Sequence, residues 1–162
     1  MRVVSNTSPI SNLAIIGRLD FLQRRYGVVR IPPAVAAELS GLSHFAAKML
    51  VDAALAERWL IIENINESSL AGLNLLLDPG ETEAIALSRQ SNADLLLMDE
   101  KRGREAARRL GLVVAGALGE LLHARLVGWI PAVRPEIARL RQDARFFVDP
   151  TIEQFILSQV GE

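Results

Sequence analysis

Ala93-Asp94-Leu95-Leu96-Leu97-Met98-Asp99-Glu100 is the stretch whose reading decides the fold. Its apolar run is short and unbroken, the pattern of a strand covered on both faces, and such strands belong to parallel sheets packed between helices. The run stops at two acids. A charged helix is expected from Lys101 to Leu110, and beyond Gly111 the residues Leu112 to Ala115 read as another short strand.

The same strand-then-helix unit recurs on the N-terminal side. Arg2 to Thr7 is a β-branched stretch that ends at Ser8-Pro9, where a serine cap and a proline in the first helical position predict a helix start. Val28 to Ile31 reads as a second strand, and Pro32-Pro33 opens a helix that contains Glu38. A further helix is expected over Ser43 to Arg58, followed by Trp59 to Ile62 as a buried strand. Asp78-Pro79-Gly80 is expected to be a loop, with an amphipathic helix over Glu81 to Gln90. From Leu118 to Glu162 the chain looks helical. Alternating strands and helices predict parallel crossover units and a three-layer α/β/α domain with a central, mostly parallel sheet. With 162 residues, half of them hydrophobic, residues 1–162 are expected to form one domain.

Composition removes several chemistries. The absence of cysteine excludes disulfides, thiolate metal sites and cysteine nucleophiles, and the two histidines, His44 and His123, are far apart in sequence. Any metal would therefore be held mainly by oxygen. A formal net charge of −1 gives no bulk basic field, so nucleic-acid binding would have to come from local patches. No secretion-type leader is visible at Met1 to Asn6, and no segment approaches the roughly 20 apolar residues that span a bilayer. A cytoplasmic protein with no membrane association is expected. No glycine-rich phosphate loop follows the first strand, which argues against a mononucleotide-binding domain.

In an open parallel sheet, functional groups gather beyond the carboxyl ends of the strands. Four stations fit that rule: Asn6 to Ser8, Glu38, Glu81 with Glu83, and Asp99. Their oxygens would suit hard Mg²⁺ or Mn²⁺. Such an ion can activate water and neutralise phosphoryl charge in phosphodiester hydrolysis, with a carboxylate positioning the water. Each station also has a purely structural explanation. Acids in a first helical turn complement the macrodipole, Asp99 is placed to cap the following helix, and Asn6-Thr7-Ser8 can be a polar turn. Glu81 and Glu83 point about 200° apart on a helix, so one small pocket would not take both, and Glu81, next to Gly80, has the greater freedom.

Four segments in order carry a resemblance to a known family. They are Val4-Ser5-Asn6-Thr7-Ser8-Pro9-Ile10, Ile31-Pro32-Pro33-Ala34-Val35-Ala36-Ala37-Glu38, Gly80-Glu81-Thr82-Glu83-Ala84-Ile85-Ala86-Leu87 and Ala93 to Glu100. Together they resemble the PIN-domain superfamily, and within it the group catalogued as DUF3368. The resemblance implies a PIN fold, an acidic pocket for Mg²⁺ or Mn²⁺, and kinship with ribonuclease toxins of bacterial toxin–antitoxin pairs. It implies RNA as substrate, an antitoxin-like protein as a possible partner, and a homodimer as the common assembly. Carried over, the family's acidic positions fall on Asn6, Glu38, Glu81 or Glu83, and Asp99, with Ser8 as a supporting hydroxyl. Asn6 departs from the acidic pattern: an amide oxygen can coordinate a cation but brings no charge and cannot act as a base. Two readings follow, a metal-dependent ribonuclease, or a catalytically weakened PIN-like module that binds RNA or an antitoxin-like protein.

The second half conceals a local positive excess, with ten basic residues against four acids between Lys101 and Arg145. Arg102 and Arg104, just after Asp99, are the candidates for phosphate contact. The alternative is a solvated helix face with i,i+4 pairs.

Overall fold

The computed structural model describes residues 1–73 and 76–162. Strands β1 (Val3–Ser5), β2 (Val29–Ile31), β3 (Leu60–Ile62), β4 (Leu95–Leu97) and β5 (Val114–Ala115) form one sheet in the order β3-β2-β1-β4-β5, with every pairing parallel. The register sets Val3 against Leu95, Val4 against Leu96 and Ser5 against Leu97. The expected three-layer α/β/α arrangement with a central parallel sheet is therefore the one observed.

Strand pleating sorts the side chains between two helical layers. Val3, Val29, Ile31 and Leu97 face a core built with α1 (Thr7–Ile15), α2 (Asp20–Tyr26), α4 (Phe45–Ala56), α8 (Ala117–Leu126), α9 (Arg134–Asp143) and α10 (Pro150–Val160). Val4, Leu96 and Met98 face a smaller core with α6 (Pro79–Gln90) and α7 (Lys101–Arg109). The helix α3 (Pro33–Ser40) buries Val35 and Leu39 in the larger core. A single turn, α5 (Glu67–Leu70), was not foreseen from the sequence.

Three expectations are corrected. Trp59 to Ile62 is not an interior strand: β3 lies at the sheet edge, and Ile61 and Ile62 are 36% and 49% exposed. Its apolar run says only that β-structure is favoured there, because burial depends on whether a neighbouring strand arrives. The first helix begins at Thr7 with Asn6 in the capping position rather than Ser8, which moves Pro9 into the third helical position, still within the first turn, where backbone N–H groups lack helical partners. Asp78-Pro79-Gly80 is not a free loop but the start of α6: the Asp78 carboxylate accepts a hydrogen bond from Glu81 N at 2.8 Å, and Pro79 opens the helix. His44 likewise caps α4, its Nδ1 accepting from Ala47 N at 3.1 Å.

The contrast between strands yields a stability test. Leu97 is fully buried in the middle of the sheet, so Leu97→Ala should cost about 2–5 kcal/mol. Ile62→Ala, at the half-exposed edge, should cost under about 1 kcal/mol. Urea denaturation at unchanged slope reads both, and equal midpoint shifts would contradict this assignment of centre and edge.

Candidate metal centre

β1 and β4 are adjacent, yet the chain leaves them in opposite lateral directions, β1 towards β2 and β4 towards β5. Helices leaving two such neighbours part company at the carboxyl edge and open a crevice there. Asn6 lies at its floor. Its N–H extends the β1–β4 pairing by donating to Leu97 O at 2.9 Å, which places residue 6 beside the Asp99-Glu100 pair. Asn6 is 2% exposed, and its Nδ2 donates to Glu100 Oε2 at 3.1 Å. The other Glu100 oxygen accepts from the Ser8 hydroxyl. Asn6 Oδ1, by contrast, is buried with no hydrogen-bond partner. A buried polar atom left in that state costs about 1–3 kcal/mol, a cost that a donor or a cation at this point would remove.

Two further carboxylates border this floor. Glu38, on α3, accepts from the Thr7 hydroxyl and lies against Gly80, where a Cβ would stand 2.5 Å from Oε1 and 2.9 Å from Oε2. Gly80 therefore admits the Glu38 head group. Glu81, one residue on, is 6% exposed and packs against Gly103 of α7, where a Cβ would approach its carboxyl within 3.4 Å. Burial pushes the Glu81 carboxyl up to about 6, helped by the negative charges of Asp78 and Glu100 and opposed by a hydrogen bond that the carboxyl accepts from the Asp78 backbone N–H and by Arg102. Among the described residues, no group of three or more acidic or histidine side chains lies close enough together to hold a metal ion by itself. What the fold assembles is an open rim of oxygen donors around a buried amide.

The remaining predicted residues are placed elsewhere. Glu83 points away from Glu81, as helical geometry demands, and accepts a hydrogen bond from Ala34 N at 2.7 Å. It thereby caps α3, whose own start is occupied by two prolines without capping side chains. Asp99 turns inward: Oδ1 accepts from Ala117 N at 2.8 Å and Oδ2 from Asn12 Nδ2 at 2.9 Å. Burial pushes its carboxyl up to about 6, against those two hydrogen bonds. Arg104 donates to Met98 O at 2.8 Å, and burial lowers its pKa. Arg102 donates to Leu76 O at 3.1 Å and remains exposed. A separate concavity lined by Ser88, Arg89, Asn92 and Leu112 touches residues before β4 and β5, at the opposite end of the sheet.

Glu100 is the site neighbour that sequence reasoning passed over. The signal was present in the Asp99-Glu100 pair, since neighbouring residues leaving a strand point to opposite sides and only one could face Asn6. Nothing in the order of the two letters says which.

An all-parallel sheet with an acid-rimmed crevice at its switch point matches the fold expected from the four segments, and the family comparison agrees: the family described as "DUF3368: PIN domain" matches residues 2–162. The chain belongs to this PIN-domain family. Among solved structures, a PilT N-terminus domain protein from the hyperthermophilic archaeon Sulfolobus solfataricus P2 is similar at a TM-score of 0.56 and 22% identity, covering 76% of this chain and 93% of that one. At that identity the likeness supports the fold alone. A domain of a functionally unknown protein from Methanocaldococcus jannaschii DSM 2661 aligns at a TM-score of 0.45 and 19% identity, over 71% of this chain and 89% of that one. No curated protein matches. Among the described residues, no helix is long and apolar enough to cross a membrane.

The raised Glu81 pKa carries a pH signature. A carboxyl whose folded pKa lies above its unfolded value binds protons more readily in the native state, so its contribution to stability falls as pH rises from about 4 to about 6 and stays low above that. In metal-free buffer, Glu81→Gln should therefore gain melting temperature over wild type as pH is raised through this window. A difference between the two proteins that stays flat from pH 4 to 7 would remove the burial effect assigned to Glu81.

Proposed function

We propose that this PIN-domain protein is a Mg²⁺- or Mn²⁺-dependent ribonuclease whose metal is held around Asn6. The observation that carries the reading is Asn6 Oδ1, a buried oxygen without a partner at the switch point of the sheet, with Glu100 beside it. The donor set is all oxygen, which suits a hard cation. Asn6, Glu38, Glu81 and Glu100 would hold the ion in this reading, with Glu100 in the place that the family resemblance gave to Asp99. When bound, the divalent ion lowers the pKa of water and neutralises charge on phosphoryl oxygens.

The chain's own residues prepare the rest. Ser8 and Thr7 donate hydrogen bonds to Glu100 and Glu38 and so hold two carboxylates facing the crevice. Exposed Lys101 and Arg102 at the start of α7 supply positive charge near the rim, able to receive an RNA backbone. Elsewhere in the second half three cations pair internally, Arg139 with Glu136, Arg141 with Glu153 and Arg125 with Glu162. The local positive excess noted in the sequence therefore narrows largely to α7.

The neutral Asn6 favours attention to a second reading, a PIN module that binds RNA or an antitoxin-like protein with little cleavage of its own. Both readings are separable. Purified protein should cleave single-stranded RNA with Mn²⁺ and stop when the metal is chelated, and Glu100→Gln should slow cleavage about 100-fold, equivalent to about 2.7 kcal/mol. RNA that stays intact across a broad panel while still binding the protein would favour the second reading. Calorimetry with Mn²⁺ on wild type and Asn6→Asp addresses the amide directly: the added charge should tighten binding about tenfold. Equal affinities would remove the argument that Asn6 weakens the site.

A further inference from the structure

Asp99 and Glu100 are consecutive acids at the end of β4, and each grips α1 at a different level. Glu100 meets Asn6 and Ser8 at its start, whereas Asp99 meets Asn12 further along, on the buried side of the helix. Both Asp99 oxygens are already engaged by donors on two different helices, Asn12 Nδ2 of α1 and Ala117 N of α8. Gly116, in the capping position of α8, has no side chain with which to cap it, so Asp99 performs that task across the gap. The space is closed: a Cβ on Gly116 would lie 2.5 Å from Asp99 Oδ1 and 2.9 Å from Arg104 Nη1, which also places a guanidinium beside the carboxylate. Each Asp99 oxygen therefore has a donor within the protein. Asn6 Oδ1, in contrast, has no partner.

From this geometry we infer that Asp99 is a positioning residue rather than a metal ligand: paired with Asn12 and the start of α8, it locks α1 to β4 and so holds Asn6 and Glu100 together. The inference rests on the metal-site reading for its functional consequence, and the Asp99–Asn12 contact itself stands apart from that reading. Its role is the alignment of two strand ends, not coordination. An exchange of the two side chains preserves this arrangement. An asparagine at 99 can accept from Ala117 N through its oxygen and donate through its amide to an aspartate at 12.

The test compares wild type, Asn12→Asp, the exchanged Asn12→Asp/Asp99→Asn and Glu100→Gln, each by thermal melting without metal and by Mn²⁺ calorimetry. Asn12→Asp sets two carboxylates against each other and should lower both the melting temperature and the Mn²⁺ affinity, the latter about tenfold. The exchanged protein should recover the wild-type melting temperature and bind Mn²⁺ within about threefold of wild type, while Glu100→Gln loses Mn²⁺ affinity with little change in melting. An exchanged protein that melts like wild type yet stays tenfold weaker for Mn²⁺ would show Asp99 to be a ligand and overturn the inference. Failure to recover the melting temperature would overturn the pairing itself. Should wild type take up no Mn²⁺, the ribonuclease reading falls, and recovery or non-recovery of melting still decides the Asp99–Asn12 brace.

Discussion

The parallel hydrogen bonding of β1 to β4 is the constraint on which the rest depends. Two strands more than 90 residues apart in sequence lie side by side in the register Val3–Leu95, Val4–Leu96, Ser5–Leu97, and the ladder continues to Asn6 N and Leu97 O. This pairing has no local turn to enforce it. It is held by burial of Val3, Val4, Leu96 and Leu97, all at most 1% exposed, between two helical layers. Once formed, it brings the residues just beyond both strands together, so an amide from the start of the chain meets a carboxylate from residue 100. The crevice is a consequence of that adjacency and of the chain's departure in opposite directions on either side.

Crowding of acids in this crevice is managed by small residues and by donors. Gly80 lets the Glu38 head group approach backbone that a Cβ would block, and Gly103 leaves room for Met98 beside the Glu81 carboxyl. Thr7 and Ser8 donate to the Glu38 and Glu100 carboxylates, and Asp78 gives Glu81 N its hydrogen bond while adding to the negative field around the Glu81 side chain. The elevated pKa of Glu81 reflects the same conflict: desolvation and neighbouring charge both work against ionisation. A region that concentrates negative charge in this way is stable only where something opposes it. Arg102 does so in part, and a bound cation would do so more completely.

Several ionisable groups that look functional in one dimension are structural in three. Glu120 is 1% exposed and accepts from Tyr26 Oη at 2.7 Å and Arg25 Nη1 at 3.1 Å, tying α8 to α2. Glu136 does the same for Arg18 and α9, through Nε at 3.1 Å and Nη2 at 2.7 Å. Glu83 caps α3. Glu120 and Glu136 compensate Arg25 and Arg18 of the first half and so hold the outer helices to one another, and removal of the arginine would leave a buried acid without its cation. The exposed cations of α7 have no acid at salt-bridge distance among the described residues, unlike Arg125, Arg139 and Arg141.

By itself, the sequence determined the layer architecture, because continuous apolar runs such as Leu95-Leu96-Leu97, alternating with capped amphipathic helices, have few ways to bury themselves other than a parallel sheet between helices. It also pointed to the stations of the candidate site, since Asn6 and Asp99 follow strands, Glu81 lies in the first turn of a helix and Glu38 is carried by the helix after β2. Tertiary structure alone decided the order of the strands, which left the apolar Ile61 and Ile62 on an edge. It alone decided which acid of each close pair enters the crevice, turning Glu81 inward and Glu83 to α3, Glu100 to Asn6 and Asp99 to α8. Side-chain direction at a strand end or a first helical turn depends on a few degrees of backbone rotation and on which donor waits nearby. Those donors, Ala34 N, Ala117 N and Asn12, come from segments far away in sequence, and only the folded chain brings them within reach.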